Sequence, residues 1–155
     1  MQLSGMLRHV LYDNQQEFVK LQDEVAFIHS YVNLMKMRTP KTCHINVEVD
    51  MPEPCNKLVA PLIFISLIEN AFKHGIAASG ESFISISIKA DTEGIECNVE
   101  NSNHPKRQTD RSGHGIGLQQ VKKRLEFSYG NRFSWEKGTK ENDSIYFSKI
   151  MIYDT

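Results

Sequence analysis

Leu58-Val59-Ala60-Pro61-Leu62-Ile63-Phe64-Ile65-Ser66-Leu67-Ile68-Glu69-Asn70-Ala71-Phe72-Lys73-His74-Gly75 is the stretch that decides how this chain reads. From Leu58 to Ile68 it is apolar apart from Ser66; then Glu69, Asn70, Lys73 and His74 arrive abruptly, just before a glycine. Such a run predicts a buried helix over 58–75 with a glycine stop. It is too short to span a bilayer. On a helix Glu69 and Lys73 share one face and Asn70 and His74 the neighbouring one. A neutral amide oxygen suits a hard cation such as Mg²⁺ that is already bound to phosphates. A lysine one turn away suits the phosphates themselves. Spacing alone also fits a plain solvated helix end, where Lys73 and His74 complement the dipole.

On both sides of this stretch the period changes to two. Upstream, Ile45, Val47 and Val49 alternate with Asn46, Glu48 and Asp50, which predicts a half-buried strand ended by Pro52 and Pro54. Downstream, Ile84, Ile86 and Ile88 alternate with Ser85, Ser87 and Lys89. Thr92-Glu93-Gly94 predicts a turn, and Ile95, Cys97 and Val99 the hairpin partner. Asn101 to Gly113 is polar, contains Pro105, and predicts a loop. Gly115 to Tyr129 carries Leu118, Val121 and Leu125 and predicts a helix. Phe133-Ser134-Trp135 and Ser144 to Ile152 predict two strands, split by a polar turn over Lys137 to Asp143.

The N-terminal part has a different rhythm. Leu3, Met6, Leu7, Val10 and Leu11 recur at helical spacing, and Asp13 to Glu17 interrupts them. Leu21, Val25, Ile28, Val32 and Met35 then form a heptad seam that Pro40 stops. That seam fits either a core-facing helix or a helical-bundle and dimer element. The chain therefore divides at 39/40, a helical segment over 1–39 and a mixed domain over 40–155. Two helices followed by β-α-β-β-loop-α-β-β predict an α+β fold. Its form is a two-layer α/β sandwich, a mixed sheet of about five strands with helices on one face.

Composition bounds the function classes. A chain of 155 residues buries about 70% of its unfolded surface, enough for a core without disulfides or structural metal. The net charge is −1, so no global field gathers nucleic acid or anionic lipid. Three cysteines, Cys43, Cys55 and Cys97, are odd in number and lack CxxC spacing, against both a disulfide framework and a zinc site. Met1 to Asp13 is amphipathic, unlike a secretory signal.

Two further motifs bear on chemistry. Gly113-His114-Gly115-Ile116-Gly117-Leu118 lies where a polar loop enters a helix. Glycines there let backbone N–H groups approach phosphate oxygens at a helix N-terminus. It is neither a Rossmann fingerprint nor a P-loop, and a plain hinge explains it equally well. Val99-Glu100-Asn101-Ser102-Asn103 ends a strand, where polar side chains read a ligand edge or simply form a turn.

Taken together these residues resemble the ATP-binding domain of sensor histidine kinases, whose Bergerat (GHKL) fold is shared with gyrase, the Hsp90 chaperones and MutL. Pro61, the Leu67-Ile68-Glu69-Asn70-Ala71-Phe72-Lys73-His74-Gly75 run, Gly115-Ile116-Gly117-Leu118 and Val121-Lys122-Lys123-Arg124-Leu125 look like the LytS-type branch. Met6-Leu7-Arg8-His9-Val10-Leu11-Tyr12 and Leu21, Glu24, Ile28 and Tyr31 resemble the end of that branch's dimerisation segment. The likeness covers most of the chain.

The resemblance implies a bacterial two-component signalling enzyme that uses ATP and Mg²⁺. Asn70 matches the asparagine that holds Mg²⁺ against the triphosphate, with Lys73 and His74 beside it. Gly113, Gly115 and Gly117, with Ile116 and Leu118, match the second glycine box, and 103–114 the mobile lid. Asn101 stands where the superfamily has an aspartate that accepts from the adenine amino group, and Ser144 near the hydroxyl that supports it. Glu69 is a candidate to orient or deprotonate the imidazole nucleophile. An asparagine at 101 lacks the charge-assisted strength of a carboxylate. The first glycine box is replaced by Asn101-Ser102-Asn103-His104-Pro105. The family's acceptor histidine lies in an Asn-Pro-His-Phe-Leu-Phe-Asn-like stretch, and His9, His29, His44, His74, His104 and His114 all lie elsewhere. The expectation is a cytoplasmic fragment of an inner-membrane sensor, homodimeric in the whole kinase. Its partner would be a response-regulator receiver domain, with neither nucleic acid nor membrane contacted by this part. A degenerate, non-catalytic scaffold and a gyrase- or chaperone-class ATPase are the alternatives.

Overall fold

The computed structural model describes residues 18–77, 80–103 and 114–153. The elements run β1 (Val19–Lys20), α1 (Leu21–Lys36), β2 (Cys43–Asp50), β3 (Leu58–Val59), α2 (Ile63–His74), β4 (Ser82–Asp91), β5 (Gly94–Ser102), α3 (His114–Tyr129), β6 (Phe133–Lys140) and β7 (Ile145–Tyr153). The expected helix over the first dozen residues, the residues 104–113 and Gly113 lie outside the described residues.

Five strands form one mixed sheet in the order β2-β4-β5-β7-β6, with β2 and β4 parallel and the other neighbours antiparallel. The period-two alternation sets which face is inside. Ile84, Ile86 and Ile88 are fully buried, and across the ladder they meet Asn101, Val99 and Cys97. Ile150 and Ile152 continue that inner face onto β7. The helices supply the second layer: Phe64, Leu67 and Ile68 of α2 and Val121 and Leu125 of α3 are buried in the same cluster. This is the two-layer α/β sandwich expected from the pattern.

The seam of α1 also belongs to this core. Leu21, Val25, Ile28 and Val32 are buried within the chain itself. Of the two uses open to a heptad seam, the core-facing one is what these four residues adopt. The core runs across the 39/40 division that sequence pattern suggests.

Three boundaries differ from the sequence reading. The helix expected from Leu58 begins at Ile63. Leu58–Val59 instead pairs with Val19–Lys20 as a two-stranded sheet. Pro61 explains the shift, because it disfavours the helical region at Ala60 and brings no N–H of its own. Leu62 then turns the chain with φ 68° and ψ 6°, a left-handed conformation that costs a non-glycine residue roughly 1–2 kcal/mol. The strand expected at Phe133 to Trp135 runs on to Lys140. Its polar second half is tolerated because β6 is an edge strand and β7 still offers a ladder partner at every position to Ile145. The turn is therefore only Glu141 to Ser144, with Glu141, Asn142 and Asp143 all at positive φ. Asn101 and Ser102, expected to open a loop, still belong to β5.

The 92–93 turn is held by Asp91, whose Oδ1 accepts from the N–H of Glu93 and Gly94. Gly94 is required there. Its φ is +153°, and a Cβ would lie 1.9 Å from the carbonyl oxygen of Ile152.

Candidate nucleotide site

Helix α2 brings its polar residues to its C-terminal end, where it meets the end of β5. The contact is close because residue 75 is glycine. A Cβ there would lie 2.7 Å from both Ala71 O and Asn101 Cβ, and 3.1 Å from Asn101 Nδ2. Gly75 has φ −90°, so the glycine serves close approach rather than a left-handed stop. Ser102 locks the junction. Its hydroxyl donates to the Gly75 carbonyl at 2.7 Å and accepts from the Phe83 N–H at 3.1 Å. That satisfies one of the carbonyls a helix end leaves open. The sequence reading passed over Ser102 as part of a turn-forming run; a hydroxyl at a strand end opposite a glycine-terminated helix was the available signal.

Asn101 is 3% exposed and faces the helix layer. Its Nδ2 donates to the Ser102 carbonyl at 2.8 Å, which leaves Oδ1 as the acceptor end of the amide. Its register neighbours are Ile84 and Tyr146. Tyr146 is half-buried and burial pushes its phenol up from the usual range. Tyr146, and not Ser144, thus stands beside Asn101. Ser144 is exposed in the β6–β7 turn, its hydroxyl donates to the Glu141 carbonyl at 2.7 Å, and its own carbonyl accepts from the Asn103 N–H. The expected support of residue 101 by Ser144 is corrected on that ground: the hydroxyl is committed within its own tight turn.

The residues of α2 divide between two flanks. Phe72 packs edge-on against Tyr31 of α1, ring centroids 5.9 Å apart. Glu69, one turn before Phe72, lies on that flank: burial raises the Tyr31 phenol to about 12, and the Glu69 charge adds to the rise. Burial likewise raises the Glu69 carboxyl above its ordinary value. Asn70 and His74, four residues apart, follow the other flank and are half-buried, while Lys73 is exposed between the two. Asn70 is ~7 Å along the axis from Gly75 at the helical rise. Glu69 and Asn70, adjacent in sequence, are therefore split between the α1 side and the opposite side.

Gly115, Ile116 and Gly117 fall in the first turn of α3, with Leu118 half-buried one residue on. Among the described residues no three His, Cys, Asp or Glu side chains converge on a point. A protein cage for a cation is not what these residues offer. A lone amide such as Asn70 fits a hard cation that phosphate oxygens already hold. Among the described residues no helix is long and apolar enough to cross a membrane.

Comparison with known proteins agrees with this architecture. A family model described as Histidine kinase matches residues 1–43. The chain is 28% identical over 148 residues to Sensor protein LytS of Streptococcus mutans, covering 84% of this chain and 24% of that protein. It is 25% identical over 119 residues to Sensor histidine kinase BtsS of Escherichia coli K12, covering 76% of this chain and 21% of that protein. It thus spans about a quarter of the length of the curated relatives it matches. Among solved structures, the catalytic domain of histidine kinase ThkA superposes with a TM-score of 0.54 at 17% identity, covering 87% of this chain and 94% of that one. ThkA in complex with the response regulator TrrA superposes at 0.51 and 19% identity, covering 97% and 47%. The chain resembles LytS-type sensor histidine kinases over most of its length and has the fold of histidine kinase catalytic domains.

Proposed function

We propose that this chain is the ATP-binding catalytic part of a two-component sensor histidine kinase. The observation that carries the reading is the junction at Gly75. There the end of the helix bearing Asn70, Lys73 and His74 is brought against the buried amide of Asn101. Asn101 Oδ1 accepts from the adenine amino group, and Asn70 contributes one amide oxygen to Mg²⁺. Lys73 supplies a mobile positive charge to the phosphates. Backbone N–H groups of Gly115 and Gly117, at the start of α3, meet the phosphates where the helix dipole favours anions. Gly113 joins them on sequence alone. Asn70 would hold Mg²⁺ beside the phosphates, where the ion would supply positive charge against the charge that develops on them.

In the reaction a histidine imidazole nitrogen outside this sequence attacks the γ-phosphorus. The bond to the β–γ bridging oxygen breaks, ADP leaves, and the phosphoryl group passes on to an aspartate of a response regulator. Catalysis on this chain's side is positioning and electrostatic stabilisation. Glu69 is the available carboxylate for the imidazole proton, and its raised pKa fits a proton acceptor. The response regulator as partner has a parallel in the ThkA–TrrA complex. A homodimeric parent anchored in a membrane, with this part in the cytoplasm, completes the proposal; 1–39 would be the end of its dimerisation segment, with the seam of α1 turned to this chain's own core.

A second reading, a scaffold that signals without catalysis, is favoured by one feature, the uncharged amide at 101. Calorimetric titration with a non-hydrolysable ATP analogue, with and without Mg²⁺, separates the two. Mg²⁺-dependent binding supports the kinase, and no binding under either condition overturns it.

A further inference from the structure

The segment that feeds α2 is held by more than its own backbone. Ala60 N–H donates at 2.7 Å to the hydroxyl of Tyr129, the last residue of α3 and 69 positions away. Leu62 N–H donates at 3.2 Å to Oε2 of Glu24 on α1. Leu21 N–H donates to the Lys57 carbonyl, and Val19 pairs with Val59, so the start of α1 also grips the strap from its upstream side. Glu24 is 1% exposed, and it and Tyr129 accept from N–H groups only two residues apart on the strap.

This arrangement has an electrostatic logic. Helix α2 opens on Leu62, which offers no side-chain cap, and its first turn contains no acid. The carboxylate that belongs at a helix N-terminus is supplied by a different helix. Glu24 therefore caps α2 in trans. Its partner Leu62 is itself left-handed and turns the chain into the helix.

We propose that Glu24 and Tyr129 are positioning residues: together they pin the Val59–Leu62 strap, and through α2 they set the place of Asn70, Lys73 and His74. The inference rests on the nucleotide-site reading for its consequence, not for its geometry. The strap is at one end of α2, and the polar residues lie toward the other, ~12 Å along the axis at Asn70 and ~18 Å at His74. Tyr129 stands at the far end of α3 from its glycine-rich first turn, ~20 Å away. The strap is thus a common pivot for the two helices that carry the proposed site. Because α1 holds the strap through Glu24, a shift of α1 against the core is passed to the site. Chains of packed side chains and hydrogen bonds of this kind carry coupling between separated elements.

The test compares Glu24→Ala, Glu24→Gln and Tyr129→Phe with Ile150→Val, a core substitution on β7 that makes none of the strap's hydrogen bonds. Hydrogen exchange is followed in the nucleotide-free 155-residue chain. Glu24→Ala and Tyr129→Phe should speed exchange of the amides at 70–75 about tenfold, the order of one lost buried hydrogen bond. Glu24→Gln keeps an acceptor for Leu62 N–H and should restore most of the protection. Ile150→Val should leave those amides unchanged at a matched unfolding midpoint. Acceleration confined to 59–66, or an equal effect from Ile150→Val, overturns the inference, and either result is readable even if Glu24→Ala fails to fold. Affinity for the Mg–ATP analogue should fall in parallel. If the wild-type chain binds no nucleotide, the kinase reading falls while the exchange result still decides the pivot.

Discussion

Replacing Ser102 by alanine removes a single oxygen atom from the junction between α2 and the sheet. That oxygen's two short contacts are a donation to Gly75 O at 2.7 Å and an acceptance from Phe83 N at 3.1 Å, with Phe83 O farther off at 3.5 Å, in a residue 8% exposed. Alanine fits the space, so no clash or cavity of consequence arises. The cost is the desolvation of partners left unpaired, about 1–3 kcal/mol for a buried group. The Gly75 carbonyl and the half-buried Phe83 N–H each lose this hydroxyl, about 2 kcal/mol together. For a chain of this size that corresponds to a fall of ~6 °C in Tm, from the usual unfolding entropy per residue. Urea denaturation read by the fluorescence of Trp135, the one tryptophan, measures it directly. The same variant should weaken Mg–ATP analogue binding more than an equally destabilising core variant does, because the lost tie is what holds Asn101 against the helix end. A stability loss below about 0.5 kcal/mol would refute the view that this hydroxyl locks the junction, since that is the scale of an exposed, replaceable bond.

Asn70→Ala should leave stability within about 0.5 kcal/mol, as a half-buried surface change, and remove the Mg²⁺-dependent part of nucleotide affinity; equal affinity with EDTA and with Mg²⁺ in both proteins would count against the metal role. Incubated alone with labelled ATP, the chain should acquire no acid-labile phosphate, because none of its six histidines lies in the acceptor context; phosphohistidine formation by the chain itself contradicts that. Gly94→Val should unfold the protein or cost several kcal/mol, because its Cβ meets Ile152 O at 1.9 Å; a soluble variant with unchanged Tm contradicts the ladder register. Tyr31 is raised to about 12 from an ordinary 10.0, so folding favours its neutral form. Its contribution is complete below pH 10 and is lost as pH rises through the folded value, and Tyr31→Phe should flatten the alkaline limb of stability between about pH 10 and 12.

The period-two runs at 45–49, 84–88 and 95–99 and the apolar run into Glu69 were enough to name the sandwich. Alternation and amphipathicity are local properties, and burial of one face follows from them directly. The same locality limited the boundaries. Nothing in Leu58–Leu62 itself reveals that two of its residues pair with Val19–Lys20, or that Leu62 is held left-handed by a carboxylate 38 positions upstream. The polar half of β6 looked like a turn because an edge strand is sustained by its neighbour's ladder, not by its own side chains. For the candidate site, the break from apolar to polar marked Asn70, Lys73 and His74, while Asn101, inside a polar run, was marked only through the family resemblance. What depended on tertiary contact was which of these share a side. Glu69 and Asn70 are neighbours in the chain, yet the packing of Tyr31 on Phe72 assigns one to the α1 flank and leaves the other opposite. Ser102, Tyr146, Glu24 and Tyr129 were invisible for the same reason: a hydroxyl or carboxylate acquires its role from the backbone group it meets, and that partner is set by the fold, not by the residue's place in the chain.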